Sequence, residues 1–165
     1  MCQFKSLIVT RTKILHDLDV DSHEELIKAN NLNDKTQSPD FVRVEFLPKN
    51  GNIFNHDRKN WELSVDQDFR PEWFSKKEAE EACWPMLNET FKLRFLSSGR
   101  VEKIEKGRWF LSGTAEVGVL RENSKVGELR ENSKVGVLWE NSKVGVLWEN
   151  SKVGELRENS KVGEL

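Results

Sequence analysis

The chain has 165 residues, 36% of them hydrophobic and 33% charged, with a formal net charge of −2. That balance is too apolar for a disordered chain, and it offers neither the basic excess of a nucleic-acid binder nor the strong acidity of a DNA mimic. Two cysteines, Cys2 and Cys83, exclude a disulfide framework of the secreted type, and no run approaches the 18 apolar residues of a membrane span.

Taken in chain order, Phe4 to Val9 and Lys13 to Leu18 read as two strands of a hairpin around Arg11 and Thr12. Ser22-His-Glu-Glu25 is a capping box that opens a short helix to about Asn30. Phe41 to Leu47 alternates as a strand and stops at Pro48; a Gly/Asn-rich loop follows, then a strand from Trp61 to Val65. Ser75-Lys-Lys-Glu78 is a second capping box, predicting a helix to about Phe95 with a kink or break at Pro85. Val101 to Ile104 and Arg108 to Leu111 are short strands that lead into the next region. The order ββαββαββ predicts an α+β head over residues 1–111, a sheet with two helices on one face. Trp61, Trp73, Phe74, Trp84 and Trp109 fit core or head–repeat positions better than a ligand cage.

From Val117 the unit Val-Gly-x-Leu-y-Glu-Asn-Ser-Lys recurs at Val126, Val135, Val144, Val153 and, truncated, at Val162, so residues 112–165 form a nonapeptide repeat region. On a helix nine residues turn about 900°, which leaves successive units on opposite sides and no single apolar stripe. Gly, Asn and Ser in every unit also disfavour a helix. As β-structure, Val-Gly-x-Leu-y is a strand and Glu-Asn-Ser-Lys a polar turn, with Asn the residue suited to a left-handed conformation. Two architectures fit. One is a parallel β-solenoid in which two units make an 18-residue coil; the other is an antiparallel β-meander. Positions x and y share a face. Glu128 accompanies Arg130, Glu155 accompanies Arg157, Val137 accompanies Trp139 and Val146 accompanies Trp148, with Val119 and Arg121 the exception. A face that accepts an ion pair or a Val–Trp pair is predicted to face solvent, and the invariant Leu to face inward. Val joins that Leu only if the intervening Gly bends the strand.

Few residues carry a chemical signature. After removal of Met1, Cys2 would place a thiol beside an α-amine, the arrangement of an N-terminal nucleophile. The opening Met1-Cys2 and following strand resemble the start of class II glutamine amidotransferases, which implies a small amidohydrolase; Gln3 and Phe4 stand where that family continues with glycine. Asp17, Asp19 and Asp21 alternate as in a calcium loop, but Ser22 takes the place of its glycine and Lys28 that of its closing Glu. His16, His23 and His56 have no zinc-type spacing, and no glycine-rich phosphate loop is present, so no cofactor is expected. From Val117 onward five Lys and three Arg balance eight Glu, which puts the whole negative charge on the head.

Met1, Cys2, Phe4, Ser6, Ile8, Val9 and Thr10, with Asp21-Ser-His-Glu24 and Phe41-Val-Arg-Val-Glu45, resemble an uncharacterised group of gut-phage and prophage proteins. Those proteins carry such a head before variable short tandem repeats. The resemblance implies a phage origin and a location in the host cytoplasm or the virion. The sequence therefore predicts a non-enzymatic binding or structural protein, cytoplasmic, with no nucleic-acid or membrane partner. Its expected contact residues are Val137, Trp139, Val146 and Trp148, serving a protein partner or self-association. A Cys2-dependent amidohydrolase and an inhibitor of a host protein acting through the repeat face are the alternatives.

Overall fold

The computed structural model describes residues 4–33 and 40–164. The chain divides into two compact units, Met1–Phe91 and Lys92–Leu165. In the first, β1 (Lys5–Thr10), β2 (Ile14–Leu15), β3 (Phe41–Pro48) and β4 (Trp61–Val65) form an antiparallel sheet in the order β2-β1-β3-β4. Leu7, Ile8 and Val9 are consecutive and all buried, as are Val44, Glu45 and Phe46, because helices cover both faces of the sheet. Helix α1 (His23–Ala29) packs Leu26 and Ile27 on Ile8, Leu15 and Phe41. Helix α2 (Lys76–Arg94) sets Trp84 edge-on to Phe46, 5.9 Å between ring centroids, and Phe91 against Trp61 at 5.2 Å. Ile8 pairs with Arg43 and Leu7 with Val44, so Ile8 and Phe46 lie on opposite faces of the sheet. The two helices thus sandwich the sheet, where the element order suggests a single face.

The capping serines behave as their spacing predicts. Ser22 accepts from the Glu25 amide at 3.4 Å and Ser75 from the Glu78 amide at 3.3 Å. Pro85 does not break α2, which runs through it. Burial of Cys83, Leu87 and Phe91 on its inner side holds the helix where one backbone bond is lost. Strand β2 is shorter than expected. Beyond Leu15 the chain leaves the ladder, and the Asp17 and Asp21 carbonyls accept from Lys5 Nζ and Ser6 Oγ instead.

Two histidines of this unit carry a pH dependence. His16, half-buried, is held below the usual histidine range by burial and by the charge of Lys5; His56, stacked on Phe91 at 3.9 Å, is lowered by burial. Both groups bind protons more readily unfolded than folded, so stability is full above about pH 6.5 and falls as pH drops through the folded values. The double variant His16→Gln/His56→Gln is expected to flatten that decline in urea titrations between about pH 7 and 5. An equally steep decline in the variant would contradict this assignment.

The second unit is a parallel β-solenoid. Its strands are β5 (Phe95–Leu96), β6 (Arg100–Ile104), β7 (Arg108–Leu111), β8 (Glu116–Leu120), β9 (Lys125–Leu129), β10 (Lys134–Leu138), β11 (Lys143–Leu147), β12 (Lys152–Leu156) and β13 (Lys161–Glu164). They form two sheets, β12-β10-β8-β6 and β13-β11-β9-β7-β5, and every pair is parallel. Like positions stack 18 residues apart: Val135 pairs with Val117 and Val153, and Leu147 with Leu129. This registration excludes the meander. It also takes in strands 101–104 and 108–111, which the sequence pattern assigns to the head sheet.

The core is a double column. Val117, Val126, Val135 and Val144 are about as buried as Leu120, Leu129 and Leu138. Val and Leu, three apart, both face inward, so the strand does not alternate across Gly-x. Glycine makes that bend possible. A Cβ on Gly136 would lie 2.6 Å from the Gly118 carbonyl oxygen, and one on Gly145 would lie 2.5 Å from that of Gly127. Gly118, Gly154 and Gly163 are likewise pressed onto the backbone of the coil before, while Gly127 is pressed onto the Phe110 ring.

The turn differs from expectation in one residue. Ser124 donates its amide to Arg121 O at 3.1 Å, closing a four-residue turn, but Glu122 rather than Asn123 takes the positive φ. Glu131, Glu140, Glu149 and Glu158 repeat this with φ between 59° and 61° for the first three and 53° for the last. A positive φ at the first central residue alone is the sign pattern of a II′ turn, which is why the glutamate and not the asparagine is left-handed. Glu140 recovers part of the strain, since its Oε2 accepts from the Glu122 amide at 2.7 Å. Gly113, 18 residues before Glu131, takes the equivalent turn position one coil earlier, at φ 58°. Glu149 makes no such bond, so Glu149→Gly is expected to raise stability by about 0.5–1 kcal/mol, the strain relieved less the entropy of an added glycine. Glu140→Gly should gain less. Urea midpoints of the two variants test the order, and a loss of stability in Glu149→Gly would refute the strain argument.

Candidate functional site

Outside the core columns, the x and y positions form two ridges, one on each sheet. On the β9 and β12 units the Glu–Arg pairs close directly: Arg130 Nε donates to Glu128 at 2.9 Å and Arg157 Nε to Glu155 at 2.8 Å. The hydrogen bond from Arg157 lowers the Glu155 carboxyl below its usual range. This explains why the two positions vary together. The exception, Val119 with Arg121, has its own cause. Lacking a Glu two residues before it, Arg121 lies over the Trp139 ring, 4.9 Å from the centroid, and pairs with Glu140 at 3.6 Å.

The structure separates the four expected contact residues into two spots. Val137 and Trp139 belong to the sheet of β10, Val146 and Trp148 to that of β11. Trp139 is sandwiched: Arg121 lies on one side and Arg157 at 5.5 Å on the other, with Trp139 Nε1 donating to Glu158 at 2.7 Å. Three residues spaced by 18 thus make a cation–π column. Trp148 has Arg130 at 5.7 Å and stays 51% exposed, with half-buried Val146 beside it. The lysine position adds a second column, Arg108, Lys125, Lys143 and Lys161, along the same sheet as Trp148 at the strand spacing of about 4.8 Å.

The other candidates fall elsewhere. Cys2 lies outside the described residues. Cys83 is fully buried, and burial pushes its thiol up to about 12, far from a reactive thiolate. Asp17 turns its carboxylate onto the Asp19 amide at 2.8 Å, as in an Asx turn. Among the described residues no three His, Cys, Asp or Glu side chains are grouped to hold a metal. His23 is a structural cross-link: Nε2 donates to the Val44 carbonyl at 2.8 Å, and Nδ1 meets the Asp66 carboxylate at 3.0 Å. No helix among the described residues is long and apolar enough to cross a membrane.

Two features are not legible at the nine-residue period. The Arg–Trp–Arg column is present as an 18-residue spacing, visible only once two units are taken as one coil. A cleft of 360 Å³ beside the β1–β2 turn has no periodic signal, because distant segments build it. No family model, curated protein or solved structure matches the chain.

Proposed function

We propose that the chain is a non-enzymatic binding or structural protein, whose repeat ridges serve as a protein-contact surface. The observation that carries this reading is the half-exposed Trp148, with Arg130 over its ring and Val146 beside it between Glu128 and Glu164. An aromatic side chain anchored by an arginine and ringed by charge has the composition of a contact hot spot. Trp139 and Val137 form a weaker spot on the other sheet, since two arginines already cover the indole. The placement on opposite sheets suits one chain bridging two neighbours. The resemblance of the opening residues to phage and prophage proteins supports a bacterial host or a virion as the setting.

Sedimentation velocity over a concentration series tests the self-association form of the proposal. Trp148→Arg introduces the residue that Arg121, Arg130 and Arg157 supply at this position in other units, so the fold is expected to hold while association weakens by about tenfold or more. Chemical cross-linking in a bacterial lysate, with the variant as control, tests the hetero-partner form. A variant that keeps its parent's mass distribution and every cross-linked product would refute the proposal.

A further inference from the structure

The 360 Å³ cleft lies wholly in the first unit, between the β1–β2 turn and the first turns of α2. Its floor is apolar: Val9, Ile14, Phe74, Ala79 and Met86, with Ala82 at the edge. Arg11 and Lys13 stand at its rim. Arg11 rests over the Trp73 ring at 5.9 Å, and these two residues also line a second opening of 650 Å³, where Phe69 is 37% exposed and Arg70 adds a cation. Arg11, Lys13 and Arg70 have no carboxylate partner among the described residues. Glu78 and Glu72 are the acids at the two rims, which leaves the cations in excess by one.

A recess of this size, with an apolar floor and a few fixed polar groups, is the usual form of a small-molecule site. The sign of the ligand follows from the rim. A guanidinium over an indole face keeps N–H groups free for an oxyanion such as a carboxylate or sulfonate, which it grips by paired hydrogen bonds. We propose that this cleft binds a small amphipathic organic anion, an aromatic or branched apolar body carrying a carboxylate or sulfonate. The body lies on Ile14, Ala82 and Met86, and the anionic group on Arg11. The site is separate from the repeat ridges and stands or falls independently of them.

Titration of the full chain with 1-anilinonaphthalene-8-sulfonate, followed by its fluorescence, tests the proposal. One site per chain is expected. Arg11→Gln should weaken it about tenfold, and Lys13→Gln less, as one charge-assisted contact is lost. Ala82→Trp, which fills the cleft from its exposed edge, should abolish binding. The neutral probe N-phenyl-1-naphthylamine, with the same rings and no sulfonate, should bind about tenfold more weakly than the sulfonate. Trp148→Arg should leave the titration unchanged, which separates this site from the repeat surface. The proposal is overturned if the parent does not bind the sulfonate, if Arg11→Gln binds it as well as the parent, or if both probes bind alike. If Ala82→Trp fails to fold, Arg11→Gln and the probe pair decide the matter, since Arg11 is a surface residue.

Discussion

Alanine at Gly145 is expected to lower the stability of the repeat unit by about 3 kcal/mol, more than most single-methyl additions. The reason is steric and not conformational. Gly145 does not have a positive φ, yet its missing Cβ would stand 2.5 Å from the Gly127 carbonyl oxygen and 3.4 Å from that carbonyl carbon. Nothing flexible can move aside, because the obstacle is the backbone of the coil below. Gly163 is pressed onto Gly145 in turn, so any retreat of one coil is passed to the next. Gly51 supplies the contrast. It has φ +73° but open space around its Cβ direction, so Gly51→Ala should cost only about 1 kcal/mol, the left-handed penalty alone. Urea unfolding followed by β circular dichroism for the repeat unit measures the first, and hydrogen exchange over residues 41–65 the second. Equal effects in the two variants would mean that the glycine column is not packed as described.

How far this fold is legible in the sequence depends on which interactions repeat. The nine-residue period identifies β-structure because it conflicts with the helical turn, and the two-unit coil follows from the need to stack like residues. The inward Leu is legible too. The inward Val hangs on a condition, a bend at Gly, which the strand pattern alone leaves open. The close approach of Gly118, Gly136, Gly145, Gly154 and Gly163 to a carbonyl group of the coil before, and of Gly127 to the Phe110 ring, meets that condition. The start of the solenoid is hidden. Val101 and Ile104 stack with Val117 and Leu120 in register, but their unit reads Arg-Val-Glu-Lys-Ile and shares no letter with the later units except Val. Gly107 and Gly113, at φ 91° and 58°, are the traces of the same turns. In the head, local signals set the caps and strand centres, while the side of the sheet each helix takes is set by long-range packing that no local pattern records. The paired variation of x and y points correctly to a shared outer face. The cation–π column needs the coil length first.

Two identical nonapeptides give the sharpest test of the coil, because sequence cannot distinguish them. Val126–Lys134 and Val153–Lys161 have the same nine residues, yet Leu129 is 0% exposed and Leu156 is 51% exposed. Leu129 lies in the column between Leu111 and Leu147, with Leu120 and Leu138 in the same core. A carboxylate placed there would lie among the apolar side chains of the core columns, so it must either remain charged in an apolar medium or take up a proton. Leu129→Asp is therefore expected to cost more than about 4 kcal/mol at neutral pH, enough to unfold the repeat unit under most conditions. Leu156→Asp removes only part of an apolar contact and leaves the carboxylate in water, for a loss of about 1 kcal/mol. The expected signature is loss of the β signal in Leu129→Asp and its retention in Leu156→Asp, with partial recovery of the former at low pH as the carboxyl is protonated. Equal tolerance of both variants would mean that the two nonapeptides occupy equivalent environments, and the stacked coil with its buried Leu column would have to be abandoned.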